Sequence, residues 1–139
     1  DTLFGSYKRG ILIGGDGKDK LFGWDSSDLL IAGYTSFDHD RTALNAIMSE
    51  WTSNRNYYHR ICNLKGSGWG SRNNGDYFLK ANQSDPANDT VHDDEERDLL
   101  WGGANLDWYI ANTDGDNEGG RDRLFGVRWY EVVTDLDRL

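Results

Sequence analysis

Leucine recurs at every ninth position through the first thirty residues. Leu3, Leu12, Leu21 and Leu30 each lie two residues after Asp1, Gly10, Asp19 and Asp28, with Gly5, Gly14, Gly23 and Ala32 four residues after. An inward apolar residue between outward neighbours predicts a strand of about three residues with period-two alternation. The glycines between predict tight turns with positive φ. The period returns at Asp89, Asp98 and Asp107, followed by Val91, Leu100 and Tyr109, and again at Asp122 with Leu124 and Glu131 with Val133. One such unit cannot bury its apolar residue, whereas stacked units bury a continuous row.

A second apolar series lies three residues after each repeat position: Phe4, Ile13, Phe22, Ile31, then His92, Trp101, Ile110 and Phe125. These side chains point outward from the stack. Their apolar character predicts that both outer faces are covered. The cover is supplied, in this reading, by residues 37–75, where the period changes. Leu44, Ile47, Met48 and Trp51 mark an amphipathic helix over 40–52, with Asp38 or Asp40 as N-cap. Tyr57, Tyr58, Ile61 and Leu64 mark a second over 54–64, closed by Gly66. A helical hairpin that caps or covers the stack is one reading, and a recognition surface for a partner is the other. Residues 66–71 read as a flexible loop and Asp76–Leu79 as the strand that re-enters the sheet. The organisation is a single domain over 1–139: a first repeat block at 1–36, the helical insertion and Gly-rich loop at 37–75, and a second block at 76–139 with an acidic insertion.

Charge sharpens this picture. The chain of 139 residues carries 24 acidic and 15 basic side chains, a net charge of −9. Twelve carboxylates and two basic residues, Arg97 and Arg121, fall between Asp85 and Asp122, interleaved with Leu99, Leu100, Trp101, Trp108, Tyr109 and Ile110. A segment that acidic and that apolar needs counter-charge to fold. The balance argues against nucleic acid, whose phosphates are held by clustered Lys and Arg, and suits hard cations with oxygen ligands. No run of residues is long and apolar enough for a membrane span. Cys62 is alone and reads as a small buried apolar residue. Asp1 opens in mid-repeat, as a processed form or a piece of a longer chain would.

The turns carry the candidate chemistry. Residues 14–22, Gly-Gly-Asp-Gly-Lys-Asp-Lys-Leu-Phe, match the nonapeptide G-G-x-G-x-D-x-U-x at every defined position. Residues 102–107 nearly repeat its turn, with Asn105 where the third glycine would sit. Such turns aim backbone carbonyls at a common centre, where the Asp adds a carboxylate. These residues resemble the hemolysin-type, repeats-in-toxin (RTX) calcium-binding family over 1–36 and roughly 89–135. The resemblance implies a mainly β fold, a parallel β-roll solenoid of nonapeptide repeats interrupted by the helical hairpin. It also implies calcium held by turn carbonyls and the sixth-position Asp, and secretion to the extracellular space. The candidate ligands are Gly15, Gly17, Asp19, Asp28, Asp98, Gly103, Asp107 and Asp122. Gly10 stands where the first turn would have its Asp, and Trp24 and Ser26 replace turn glycines, so a few working sites are expected. Asp114, Asp116 and Glu118 alternate before a glycine turn like the opening half of an EF-hand loop, but position twelve is Phe125. They read as an isolated calcium loop or as a solvated acidic turn.

Catalysis finds little support. His39, His59 and His92 lack zinc-site spacing, no G-x-S-x-G elbow exists, and the repeat accounts for the regularly spaced acids. No catalytic residue is assigned. Three roles remain open: a calcium-stabilised structural or accessory module, a subunit that assembles with copies of itself into a filament or matrix, and a carbohydrate-binding or adhesive module using exposed aromatics such as Trp24, Trp69 and Trp129.

Overall fold

A computed structural model describes residues 1–113 and 120–136. The proposed loop ligands Asp114, Asp116 and Glu118 lie outside the described residues. The first four units form β1 (Thr2–Phe4), β2 (Ile11–Ile13), β3 (Lys20–Phe22) and β4 (Leu29–Ile31). After β5 (Tyr34–Thr35) come helices α1 (Arg41–Trp51) and α2 (Tyr57–Lys65) and a short 3-10 turn, Pro86–Asn88. The chain then forms β6 (Val91–His92), β7 (Leu99–Trp101), β8 (Trp108–Ala111), β9 (Arg123–Phe125) and β10 (Val132–Asp135).

Successive repeat strands alternate between two parallel sheets. Sheet A has the order β1-β3-β7-β9 and sheet B the order β10-β8-β4-β2, while β5 and β6 pair antiparallel. Thr2 aligns with Lys20, Lys20 with Leu99 and Leu99 with Arg123; in sheet B, Ile11 aligns with Leu29, Leu29 with Trp108 and Trp108 with Val132. The inward residues of both sheets, Leu12, Leu21, Leu30, Leu100 and Tyr109, form one core between them.

A larger core lies elsewhere. Leu29, Ile31, Trp108 and Ile110, on the other face of sheet B, pack with Ile47, Trp51, Tyr57, Ile61 and Leu64 of the helices and with Leu79 and Val91. The molecule is therefore layered helix, sheet B, sheet A. This corrects the expectation of a mainly β, parallel β-roll solenoid: strand and helix are comparable, at 23% and 18% of residues, and two four-stranded sheets of short strands share the chain with two helices. Physically, the stack is interrupted after β4, where the chain leaves for the helices, and the helix–sheet interface then buries the largest aromatics.

The helices cover sheet B alone. Sheet A keeps an open outer face, with Phe4 67% and Phe125 46% exposed, against the expectation that both faces are covered. The strand expected at Asp76–Leu79 is absent, because its backbone bonds go to other partners: the Leu79 N–H donates to Leu64 O (2.7 Å), and Thr90 and Val91 both donate to Lys80 O. Among the described residues no helix is long and apolar enough to cross a membrane.

Local chemistry explains the helix ends. The Asp40 carboxylate accepts from the Ala43 N–H, and the Asn56 side chain from the His59 N–H, so α2 starts at Tyr57 rather than 54. Gly66 takes the left-handed C-cap at φ 87°. Buried Glu50 holds the hairpin's return through Arg55 (3.0 Å) and the Asn73 N–H (2.7 Å). Tyr57 bridges the layers: its hydroxyl donates to the Asp107 carbonyl and accepts from the Val132 N–H (2.9 Å). Replacing Tyr57 with Phe should strand both backbone groups and cost about 1–3 kcal/mol. A urea titration with an unchanged midpoint would show that the bridge contributes nothing.

Candidate functional site

Three turns share one backbone shape. Positive φ falls at Gly15 and Gly17 (87° and 96°), at Trp24 and Ser26 (82° and 77°), and at Gly103 and Asn105 (85° and 71°). The turn before Asp28 therefore keeps its form although its glycines are gone, at a strain of roughly 1–2 kcal/mol per residue. The turn before Asp98 differs, with positive φ at Glu95 alone.

Each turn delivers an aspartate to the start of the next strand, and the aspartates stack in two rows. Where the chain enters sheet A, the Asp19 N–H donates to Asp98 Oδ1 (2.6 Å) and the Asp98 N–H to Asp122 Oδ1 (2.8 Å). Where it enters sheet B, Gly10 N–H donates to Asp28 Oδ1 (2.7 Å), Asp28 N–H to Asp107 Oδ1 (2.7 Å), and Asp107 N–H to Glu131 Oε1 (3.4 Å). One oxygen of each carboxylate thus ties neighbouring strands together. The other oxygen does not: Oδ2 of Asp19, Asp28, Asp98 and Asp107 is buried without a hydrogen-bond partner among the described residues. These side chains are at most 2% exposed. Each Oδ2 sits close under the first residue of its turn; a Cβ on Gly14 would lie 2.9 Å from that of Asp19, and one on Gly23 2.7 Å from that of Asp28. Asp122 differs, since its Oδ2 accepts from the Asn112 N–H (2.8 Å).

Burial raises the affinity of these carboxylates for protons. Desolvation, partly offset by the backbone hydrogen bonds, pushes Asp28 up to about 7, Asp98 to about 8, Asp107 to about 7 and Asp122 to about 6. Neighbouring carboxylates add to the rise: Asp122, Asp94 and Asp19 around Asp98, Glu131 and Asp28 around Asp107.

The turn glycines read as carbonyl ligands have structural partners. The Gly15 N–H donates to Gly33 O (3.0 Å) and the Gly17 N–H to Asp94 Oδ2 (2.7 Å). The Gly103 carbonyl accepts from Arg128 Nη1 (3.3 Å), which also donates to Asn105 O (2.8 Å) and Glu131 Oε1 (3.1 Å). At this turn a guanidinium is held by two turn carbonyls and a carboxylate, the donor set a cation would take. Sequence reasoning missed Arg128; Glu131 already stood in the repeat frame, and in the crowded acidic turn Asp93–Glu96 the sequence allowed some carboxylates to ligate metal without singling out Asp93 and Asp94. The signal for the last pair was positional: counting back from Asp98, they fill the places of the first two turn glycines. Asp93 also has a buried, unpartnered Oδ1.

Among the described residues no three His, Cys, Asp or Glu side chains converge as a metal cage. A calcium ion with six to eight oxygens would thus take one carboxylate oxygen per turn and draw the remainder from backbone carbonyls. The oxygen-only donor set and the unpartnered Oδ2 atoms fit such an ion. No family model, curated protein or solved structure matches the chain.

Two predictions follow from the strain and the burial. Ser26→Gly should raise stability by about 1 kcal/mol by relieving its left-handed backbone. Trp24→Gly should be near neutral, because losing the edge-to-face contact with Trp101 offsets about 0.5–1.5 kcal/mol; a drop at both sites would contradict the strain argument. In chelator, the folded chain holds protons on these aspartates that the unfolded chain releases above its ordinary carboxyl pKa near 3.8. Their stabilising contribution is full below that value and is lost as pH rises through 6 to 8. Melting temperatures in chelator should accordingly fall between pH 5 and 8, and a rising profile would refute the assignment.

Proposed function

We propose that the chain is a calcium-binding structural or accessory module of a secreted protein, whose fold the ion stabilises. The observation that carries this reading is the set of four buried Oδ2 atoms, one per turn, with no partner. A carboxylate left in that state costs about 1–3 kcal/mol or more, and a divalent cation between turns removes the cost. Calcium supplies positive charge and open coordination for oxygens. The chain supplies order: Oδ1 of each aspartate holds the neighbouring strand's N–H and fixes where Oδ2 can point. Arg128, in contact with turn carbonyls and Glu131, supports the same reading, because it shows these turns holding positive charge.

The test is calorimetric titration of chelated protein with calcium, alongside thermal unfolding. At free calcium 100 times the dissociation constant, one site should add roughly 2.7 kcal/mol. Asp98→Asn keeps the acceptor for the Asp19 N–H but replaces the free oxygen with an amide. It should weaken calcium binding at least tenfold, yet leave the protein as stable as, or more stable than, the parent in chelator. An Asn variant that behaves alike with and without calcium, or a parent with no calcium heat, would overturn the proposal in favour of a protonated carboxyl ladder.

A further inference from the structure

Sheet A carries an aromatic row on its outer face, exposed at Phe4 and Phe125 and half-buried at Phe22 and Trp101 between them. Phe4, Phe22, Trp101 and Phe125 align in register across its four strands, on the face opposite Leu21 and Leu100 of the inter-sheet core. Phe4 and Phe22 stack with centroids 5.4 Å apart, and Phe22 and Trp101 follow at 6.4 Å. Trp24, 57% exposed, extends the row with an edge-on contact to Trp101 at 6.0 Å, on a left-handed backbone that disfavours its side chain. A contiguous exposed patch of this kind marks an interaction surface, and strain kept at an exposed tryptophan points the same way.

Charge identifies the occupant. On a chain of net charge −9, the positions beside the aromatic row are Thr2, Lys20, Leu99 and Arg123, with two cations and no acid. Neither cation forms an ion pair with a described residue. Arg97 and Arg121 join Arg123 and Phe125 around a cleft at the β9 edge, and the Asp122 oxygens there are already bonded to backbone N–H groups. Phe4 and Phe22 stack on each other, whereas Trp24 and Phe125, both exposed and stacked face to face on no described ring, offer aromatic surface for the C–H faces of sugar rings. The strand spacing of roughly 4.8 Å is close to the length of one hexose in an extended polysaccharide. We propose that the outer face of sheet A binds an anionic polysaccharide, its rings over the aromatic row and its acidic groups on Lys20 and Arg123. A single-stranded nucleic acid offers planar rings and negative charge too, but a phosphate backbone is held by clustered Lys and Arg, and beside the aromatic row stand only two cations, Lys20 and Arg123. This surface uses none of the turn carboxylates, so it stands or falls separately from the calcium reading.

The experiment is titration of the whole chain, in constant calcium, with tetragalacturonate, with neutral cellotetraose and with a thymidine oligonucleotide, beside sedimentation velocity. The uronate should bind at least tenfold more tightly than the neutral tetrasaccharide. Phe4→Ser and the double change Lys20→Gln with Arg123→Gln should each lower that affinity tenfold or more, with the far-UV circular dichroism spectrum in the same buffer unchanged. Four results would overturn the proposal: no uronate binding at millimolar concentration, equal binding of both saccharides, preference for the oligonucleotide, or binding that survives Lys20→Gln with Arg123→Gln, the signature of calcium bridging at the acidic turns. Self-association that Phe4→Ser abolishes, without saccharide binding, would assign the face to a second copy instead.

Discussion

A carboxylate withdrawn from water needs partners for its oxygens, and in each row of repeat aspartates one oxygen is satisfied by the backbone. The Asp98 side chain receives the Asp19 N–H across a separation of 79 residues, and Asp122 receives that of Asp98 across 24. Asp107 and Glu131 repeat the same offsets on the other row. The first pair of layers, Gly10 with Asp28, is 18 residues apart, or two units. However much chain intervenes, the next layer returns to the same carboxylate. Strands of three or four residues have few ladder bonds of their own, so this side-chain contact is what holds each turn in line with the one beside it.

The interruptions then decide how the two faces differ. The longer one folds into α1 and α2 and lands on sheet B, whose central strands β4 and β8 become buried on both sides. Trp51 against Trp108 and the Tyr57 hydroxyl between Asp107 and Val132 make that contact specific. Sheet A receives no such cover. Equivalent repeat positions are therefore core on one sheet, as Ile31 and Ile110, and surface on the other, as Phe4 and Phe125.

The nine-residue period made the short strands, their alternation between sheets and the aspartate positions legible, because Leu3, Leu12, Leu21 and Leu30 could face one core only in that register. Both helices were legible from Leu44 to Trp51 and from Tyr57 to Leu64, within three residues at the ends. The layer they cover was not, since Phe22 and Ile31 look equally buriable in sequence. The double role of each aspartate was hidden for a different reason: a residue type at fixed spacing reveals a carboxylate but not that one oxygen faces a distant N–H. Trp24 and Ser26 read as lesions in a glycine turn, whereas the neighbouring layers impose the left-handed backbone regardless. Arg128 lay outside any repeat signal, because its role arises from contact with Gly103 and Asn105, a chain segment about 23 residues away.

Magnitudes indicate why the unsatisfied oxygens matter. Leaving Oδ2 of Asp28, Asp98 and Asp107 unpaired costs on the order of 3–9 kcal/mol in total, a large share of the 5–15 kcal/mol by which ordinary domains are stable. Carried as three bare charges that cost would be a heavy burden on the fold, and a proton or a cation at each of these aspartates removes it. Burial makes protonation competitive up to about pH 7 at Asp28 and Asp107. At the far end of one row the chain solves the problem internally, with Arg128 held against Glu131 and two turn carbonyls. Among the described residues nothing comparable reaches Asp28 Oδ2 or Asp98 Oδ2, and those are the layers where the proposed cation would have most to offset.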